Sequence, residues 1–154
     1  MTFVPPSTHR IFYDEDIYQN VAQNILWMGR AQMCNEGVLE HGAFECLEGE
    51  YNKEPNAFPF LLSLGFRLTG VQEATSYWIN RLLFVFGVGC AYWLGMLLFQ
   101  DRRAALVAGL VQMLIPQNLL WGATVAVEPG AAAFAAFSLG AWVLFMRERN
   151  ASTA

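Results

Sequence analysis

Lysine is almost missing from this chain. Lys53 is the only one in 154 residues, and charged side chains of every kind make up 14%. An ordinary soluble domain carries about 25%. The shortage excludes a broad basic surface, and with it the electrostatic footprint of a nucleic-acid-binding protein. Histidine is as scarce, with His9 and His41 the whole supply, and no CxxC or HxxxH spacing offers a zinc-type ligand set. Residues 1–8, MTFVPPST, have neither the basic n-region nor the apolar h-region of a signal peptide.

What the chain does have is apolar. Hydrophobic residues make up 55% of it, and they crowd into the second half. Residues 1–80 carry ten acids and four bases, a net charge of −6, whereas residues 81–154 carry three acids and five bases, net +2. A polar head and a greasy tail call for two solvents, water and lipid.

Residues 82–99, LLFVFGVGCAYWLGMLLF, hold no charge. At 1.5 Å rise, a helix of that length roughly crosses a hydrocarbon core of ~30 Å. Gln100, Asp101, Arg102 and Arg103 follow as a charged turn. A second uncharged stretch, 104–127, is interrupted at Pro116, which predicts a kink or break there. Glu128, Pro129 and Gly130 read as a turn. A third apolar stretch, 130–146, ends at Arg147, Glu148 and Arg149. The expected fold is therefore all-α, a polytopic helical membrane protein with about three transmembrane helices. The domains are an exported segment 1–80, a membrane segment 81–149 and a tail 150–154.

Sidedness follows from the arginines. With three spans, Arg102, Arg103, Arg147 and Arg149 share one side, and the loop around Glu128 carries no base. The positive-inside rule puts those arginines in the cytoplasm of a multi-pass inner or plasma membrane protein, and the N-terminal half outside. Arg81, at the outer edge of the first span, can snorkel to the headgroups. Exporting about eighty residues without a leader implies an upstream spanning helix that these residues do not include.

Within the exported half, Asp14 to Met28 reads as an amphipathic helix. Asp14 suits the N-cap, and Glu15 and Asp16 suit the first turn. Ile17, Val21, Ile25 and Met28 recur at helical spacing, and Gly29 fits the stop. Residues 30–52 show little periodicity and several glycines, which predicts an ordered loop. Residues 59–68 are apolar but too short to span, so a segment that lies in the interface or packs on the protein is expected. Cys34 and Cys46 share the loop, where an oxidising compartment favours a disulfide. Free thiols, or a metal pair helped by His41, are the alternatives. Cys90 lies in the first span as a small packing residue.

Three features could carry chemistry. Asp14, Glu15 and Asp16 form the densest acidic cluster, directly before Tyr18; the bland reading is capping and solubility. Asn52, Lys53, Glu54, Pro55 and Asn56 form a second unusual stretch, blandly a turn before an interfacial helix. Glu128 is the third, an acid between two apolar segments. An acid at membrane depth costs ~2.5–3.5 kcal/mol, so it faces water, a cavity or a partner; the turn alone would lift it into water.

Taken in order, these residues resemble the membrane-embedded GT-C glycosyltransferases. The likeness is to bacterial relatives of the protein O-mannosyltransferases and the lipid A aminoarabinose transferases. Their Asp-Glu-x-x-Tyr pattern is matched by Asp14, Glu15 and Tyr18, and the glycine after that helix by Gly29. Their Lys-Pro-Pro-like segment reads here Lys53, Glu54, Pro55, with Glu54 where proline is frequent. Arg81 matches the arginine that opens the next span, and Glu128 with Pro129 the acid that begins a later one. The resemblance covers roughly residues 12–145.

The resemblance implies a polyprenyl-phosphate-linked sugar donor, and a lipid, glycan or protein acceptor at the outer membrane face. It implies Asp14 as general base and Glu15 as a residue that orients the acceptor or binds a cation. Lys53 would neutralise the leaving phosphate, and Tyr18, Arg81 and Glu128 would contribute to substrate binding. It implies no cofactor, although carboxylates such as Asp14 and Asp16 suit a divalent cation. Family members are longer and have more spans, so the chain is expected to be part of such an enzyme, with the remainder as a partner. The rival reading is a small non-catalytic accessory or assembly protein that docks through the same acidic helix.

Overall fold

A computed structural model describes residues 14–40, 43–51 and 55–152. They form helix α1 (Asp14–Met28), strands β1 (Gln32–Glu40) and β2 (Ala43–Tyr51), and helices α2 (Ala57–Thr69), α3 (Glu73–Phe99), α4 (Arg102–Leu114), α5 (Pro116–Ala123) and α6 (Glu128–Ser152). The chain divides into two compact units that meet within α3, between residues 79 and 80.

In the N-terminal unit, helical spacing dictates the core. Tyr18, Val21 and Ala22 on α1 are buried together with Phe58, Leu62 and Phe66 on α2. The Tyr18 and Phe58 rings meet edge to face at 5.3 Å, the arrangement aromatic quadrupoles prefer. Gly29, at φ +66°, closes α1 through its N–H to the Ile25 carbonyl, a left-handed stop that glycine adopts without a Cβ penalty. Pro59 sits in the first turn of α2, where a missing N–H costs nothing.

The segment between α1 and α2 corrects two expectations. The ordered loop is an antiparallel β-hairpin, paired from Gln32 with Tyr51 to Glu40 with Ala43, so the fold is mostly helical rather than all-α. Glycines at 37 and 49 and acids at 36, 40, 45, 48 and 50 blur the alternation that would mark strands. The register is irregular between Cys34 and Gly37. Across it Cys34 and Cys46 are joined as a disulfide, their Cα atoms 5.8 Å apart. A lone two-stranded hairpin is marginal in water, and α1 supports this one. Asn24 Nδ2 donates to the Gln32 carbonyl at 2.7 Å, and the Cys34 N–H donates to Asn20 Oδ1 at 3.3 Å.

In the C-terminal unit, α3 and α6 are long and apolar enough to cross a membrane, and α4 with α5 is a third apolar segment bent by 61°. Leu82, Val85, Leu106, Val107, Phe134 and Trp142 point outward, a surface suited to lipid rather than water. Three boundaries differ from the sequence expectation. Helix α3 begins at Glu73 rather than at residue 82, because one charge such as Arg81 does not interrupt a backbone hydrogen-bond ladder. The turn expected at 128–130 lies earlier, after Ala123, and Glu128 and Pro129 form the first turn of α6, where proline is favoured. Helix α6 continues to Ser152, through the expected tail.

The break at Pro116 has a local cause. Proline cannot donate to an i−4 carbonyl and forces its predecessor to extend; Ile115 lies at φ −58°, ψ 121°. The freed Gln112 carbonyl accepts from Asn118 Nδ2 at 2.9 Å.

Packing fixes the helix directions. Gly95 approaches Ala105, and Gly109 approaches Tyr92 and Val88. Gly122 lies against Phe84, and Asn80 Nδ2 donates to the Trp121 and Thr124 carbonyls, each at 2.6 Å. Thus α4 and α5 together run antiparallel along α3, from its C-terminal end back to Asn80. Helix α6 runs the other way. Gly130 meets Leu83, Gly87 meets Ala133, Trp93 stacks on Phe137 at 5.7 Å, and the Arg147 guanidinium donates to the Leu97 carbonyl. So α3 and α6 are parallel.

Candidate functional site

Three acids open α1, and helical geometry gives them different surroundings. Residues 15, 18, 19 and 22 share one face, so the stripe that buries Tyr18 and Ala22 also carries Glu15 and Gln19 inward. Glu15 is fully buried, Asp16 is half-buried and Asp14 is exposed. Asp14 is the first described residue of α1, and the position before it lies outside the described residues.

A carboxylate out of water is costly unless hydrogen-bonded. Glu15 gains compensation from two sources. The N-terminal end of α1 favours negative charge, and the Tyr77 hydroxyl donates to Glu15 Oε2 at 3.0 Å. A second link lies beside it. Ser76 Oγ donates to Gln19 Oε1 at 3.2 Å, while Gln19 Nε2 donates to the Glu15 carbonyl at 3.2 Å. Glu15, Gln19, Ser76 and Tyr77 are all buried. They form a polar layer that ties the first turn of α1 to the first turns of α3.

The remaining sequence candidates are dispersed. Tyr18 packs into the α1–α2 core. Lys53 lies outside the described residues. Arg81 is half-buried on α3, in the C-terminal unit. Glu128, also in that unit, is half-buried and lines a cavity of about 40 Å³ with Phe84, Gln112, Asn118, Trp121 and Pro129. That is room for water, which needs roughly 10–15 Å³. Among the described residues no three His, Cys, Asp or Glu side chains gather as a metal-binding group.

Sequence reasoning missed Gln19, Ser76, Tyr77 and Asn80. The only local signal for Gln19 is its position four residues after an acid. Ser76 and Tyr77 are about sixty residues from their partners, and nothing in their neighbourhood marks them. Asn80 is a carboxamide inside an apolar helix, fully buried, whose Oδ1 has no hydrogen-bond partner among the described residues; an amide so placed is a visible anomaly in the sequence.

No protein-family model, curated protein or solved structure matches the chain.

Proposed function

We propose that the chain is part of a membrane glycosyltransferase of GT-C type. It would transfer a sugar from a polyprenyl-phosphate donor to a lipid, glycan or protein acceptor at the outer membrane face. One observation carries the reading most directly: an exposed acid, Asp14, adjoins a buried acid, Glu15, that is anchored to the helix leading into the first span. Asp14 is accessible and can take a proton from an acceptor hydroxyl. Glu15, enclosed and hydrogen-bonded, holds the turn that presents Asp14. Such a division, one carboxylate to react and one to position, is what precise placement of a general base requires. The order of Asp14, Glu15, Tyr18, Gly29, Lys53, Arg81 and Glu128 supports the family, with Lys53, Arg81 and Glu128 as donor- or acceptor-binding groups.

The membrane arrangement in this reading has three crossings. Parallel α3 and α6 need one return between them, and α4 with α5 supplies it. At 1.5 Å rise α4 is about 20 Å long and α5 about 12 Å; allowing for the bend of 61°, they advance about 25 Å, close to a hydrocarbon core of ~30 Å. Arg102, Arg103, Arg147 and Arg149 then share the cytoplasmic side, and the N-terminal unit lies outside.

The deciding experiment uses membranes containing the full chain and a radiolabelled polyprenyl-phosphate sugar. Transfer of label to membrane lipid, glycan or protein, abolished by Asp14→Asn, is expected. Transfer that persists at full rate in Asp14→Asn would remove Asp14 from the mechanism.

A further inference from the structure

The turn between α3 and α4 consists of Gln100 and Asp101. Gln100, at φ +54°, ends α3 in the left-handed region, with its N–H on the Met96 carbonyl. Asp101 is extended and caps α4, its carboxylate accepting from the Arg103 N–H at 2.8 Å. So tight a turn puts Arg102 and Arg103 at the C-terminal end of α3, and the close approach of Gly95 to Ala105 holds α4 there. Arg147 reaches the same end from α6. Its guanidinium donates to the Leu97 carbonyl, in the last turn of α3, where carbonyls have no partner within the helix. Arg149 follows two residues later.

One end of the C-terminal unit therefore gathers four of its five bases. Arg102, Arg103, Arg147 and Arg149 stand there against two acids, Asp101 and Glu148, a net charge of +2. The opposite end, where Asn80 meets α5 and α6 begins, has one of each sign, Arg81 and Glu128. Arg102 and Arg103 are exposed, and among the described residues their guanidinium groups meet no carboxylate. Large apolar side chains border the arginines. Leu98 and Phe99 on α3, and Trp142 and Phe145 on α6, are all exposed. These two helices are the ones long and apolar enough to cross a membrane.

We propose that this arginine collar binds the headgroup phosphate of an anionic phospholipid. The sign of the charge selects an anion, and the guanidinium fork matches a phosphate through paired N–H···O bonds. The bordering apolar side chains select an anion that carries acyl chains; a nucleic acid or an acidic peptide has nothing to cover them. A zwitterionic headgroup brings its own cation and gains less from the collar. The inference requires α3 and α6 to lie in lipid. It does not depend on the transferase reading, nor on which membrane face the arginines occupy.

The test is native mass spectrometry of the full chain in detergent micelles, titrated with phosphatidylglycerol or with phosphatidylcholine of the same acyl chains. Micelles have no sidedness, so orientation does not enter. A basic residue near a membrane surface strengthens binding of anionic lipid about fivefold. Arg102→Gln with Arg103→Gln keeps good helix formers and leaves Arg147 on its carbonyl. The double variant should therefore bind phosphatidylglycerol about 25-fold more weakly and phosphatidylcholine as the parent does. Arg67→Gln, at an exposed arginine of α2, should change neither. Glycerophosphoglycerol, the headgroup without chains, should displace no lipid at equal concentration. The proposal is overturned if the parent binds the two lipids alike, if the double variant keeps the parent's preference, or if Arg67→Gln loses as much. Full displacement by glycerophosphoglycerol would also overturn it, by showing an anion site without lipid character.

Discussion

The Tyr77 hydroxyl donates to Glu15 Oε2 across 3.0 Å, and both residues are buried. This bond joins the start of the first described helix to α3, which is long and apolar enough to cross a membrane. Removing it by Tyr77→Phe keeps the ring and deletes only the donor. A hydrogen bond to a charged group contributes roughly 1.5–3 kcal/mol, and a loss of that size is expected in the unfolding of the N-terminal unit. Hydrogen exchange across α1 in nanodiscs measures it directly. If α1 is protected as strongly in Tyr77→Phe as in the parent, the bond has no stabilising role.

Asp14→Asn addresses the neighbouring acid. Asp14 is exposed and lies at the first position of α1, so stability should move by no more than about 0.5 kcal/mol. Amide cannot serve as a general base, and transfer should fall by about 10²–10⁴-fold. Glu15→Gln should show the opposite balance, with unfolding eased and the remaining activity altered through placement. Measuring both melting and transfer for the two variants separates the roles; equal profiles would refute the division between a reacting and a positioning carboxylate.

The disulfide offers a third measurement. Cys34 and Cys46 are twelve positions apart, and closing a loop near that size stabilises by roughly 3 kcal/mol. Non-reducing peptide mass spectrometry of protein purified without reductant should recover a linked pair. Cys34→Ser with Cys46→Ser should lower the melting temperature of the hairpin unit without altering α3 to α6. Two alkylated free thiols in the parent protein would show that the bond does not form.

Local regularity decided what could be read from the sequence. Helix α1 was legible because apolar residues recur at helical spacing and Gly29 stops them. The break at Pro116 was legible because a pyrrolidine ring has one local consequence wherever it falls. The long apolar helices were legible as charge-free length, yet the start of α3 was not, since Arg81 interrupts a hydropathy run without interrupting a helix. The hairpin was hidden by its glycines and its acids. The choice between Glu15 and Asp14 as the enclosed acid depends on α2 and on Tyr77, sixty-two positions away, and no local pattern contains that distance.

Close helix approach gives a fourth prediction. A Cβ on Gly95 would lie 2.9 Å from the Ala105 Cα, too near for real contact and set against backbone that cannot swing aside. Small residues at such crossings let membrane helices pack without a hydrophobic driving force. Gly95→Leu should therefore separate α3 from α4, whereas Gly89→Leu, which meets nothing within 4 Å, should be tolerated. Resistance to unfolding by sodium dodecyl sulfate compares the two, and equal resistance would contradict the packing.

Topology supplies the last test, because the parallel course of α3 and α6 makes a demand that hydropathy alone does not. The Arg147 guanidinium reaches the Leu97 carbonyl, so the C-terminal ends of both helices lie together. If α4 and α5 instead formed a re-entrant loop, α6 would start from the face where α3 ends and finish on the opposite one. The two cases differ in where residues 100 and 151 emerge. Single substitutions Arg30→Cys, Gln100→Cys and Ala151→Cys are therefore compared for labelling by a membrane-impermeant maleimide in intact cells and after permeabilisation. Arg30→Cys is expected to label from outside, and the other two only after permeabilisation, with the buried Cys90 silent as background. Labelling of Gln100→Cys and Ala151→Cys from opposite sides would exclude three crossings. Labelling of both from outside, with Arg30→Cys protected, would keep three crossings and invert the orientation that the arginines of the positive-inside rule require.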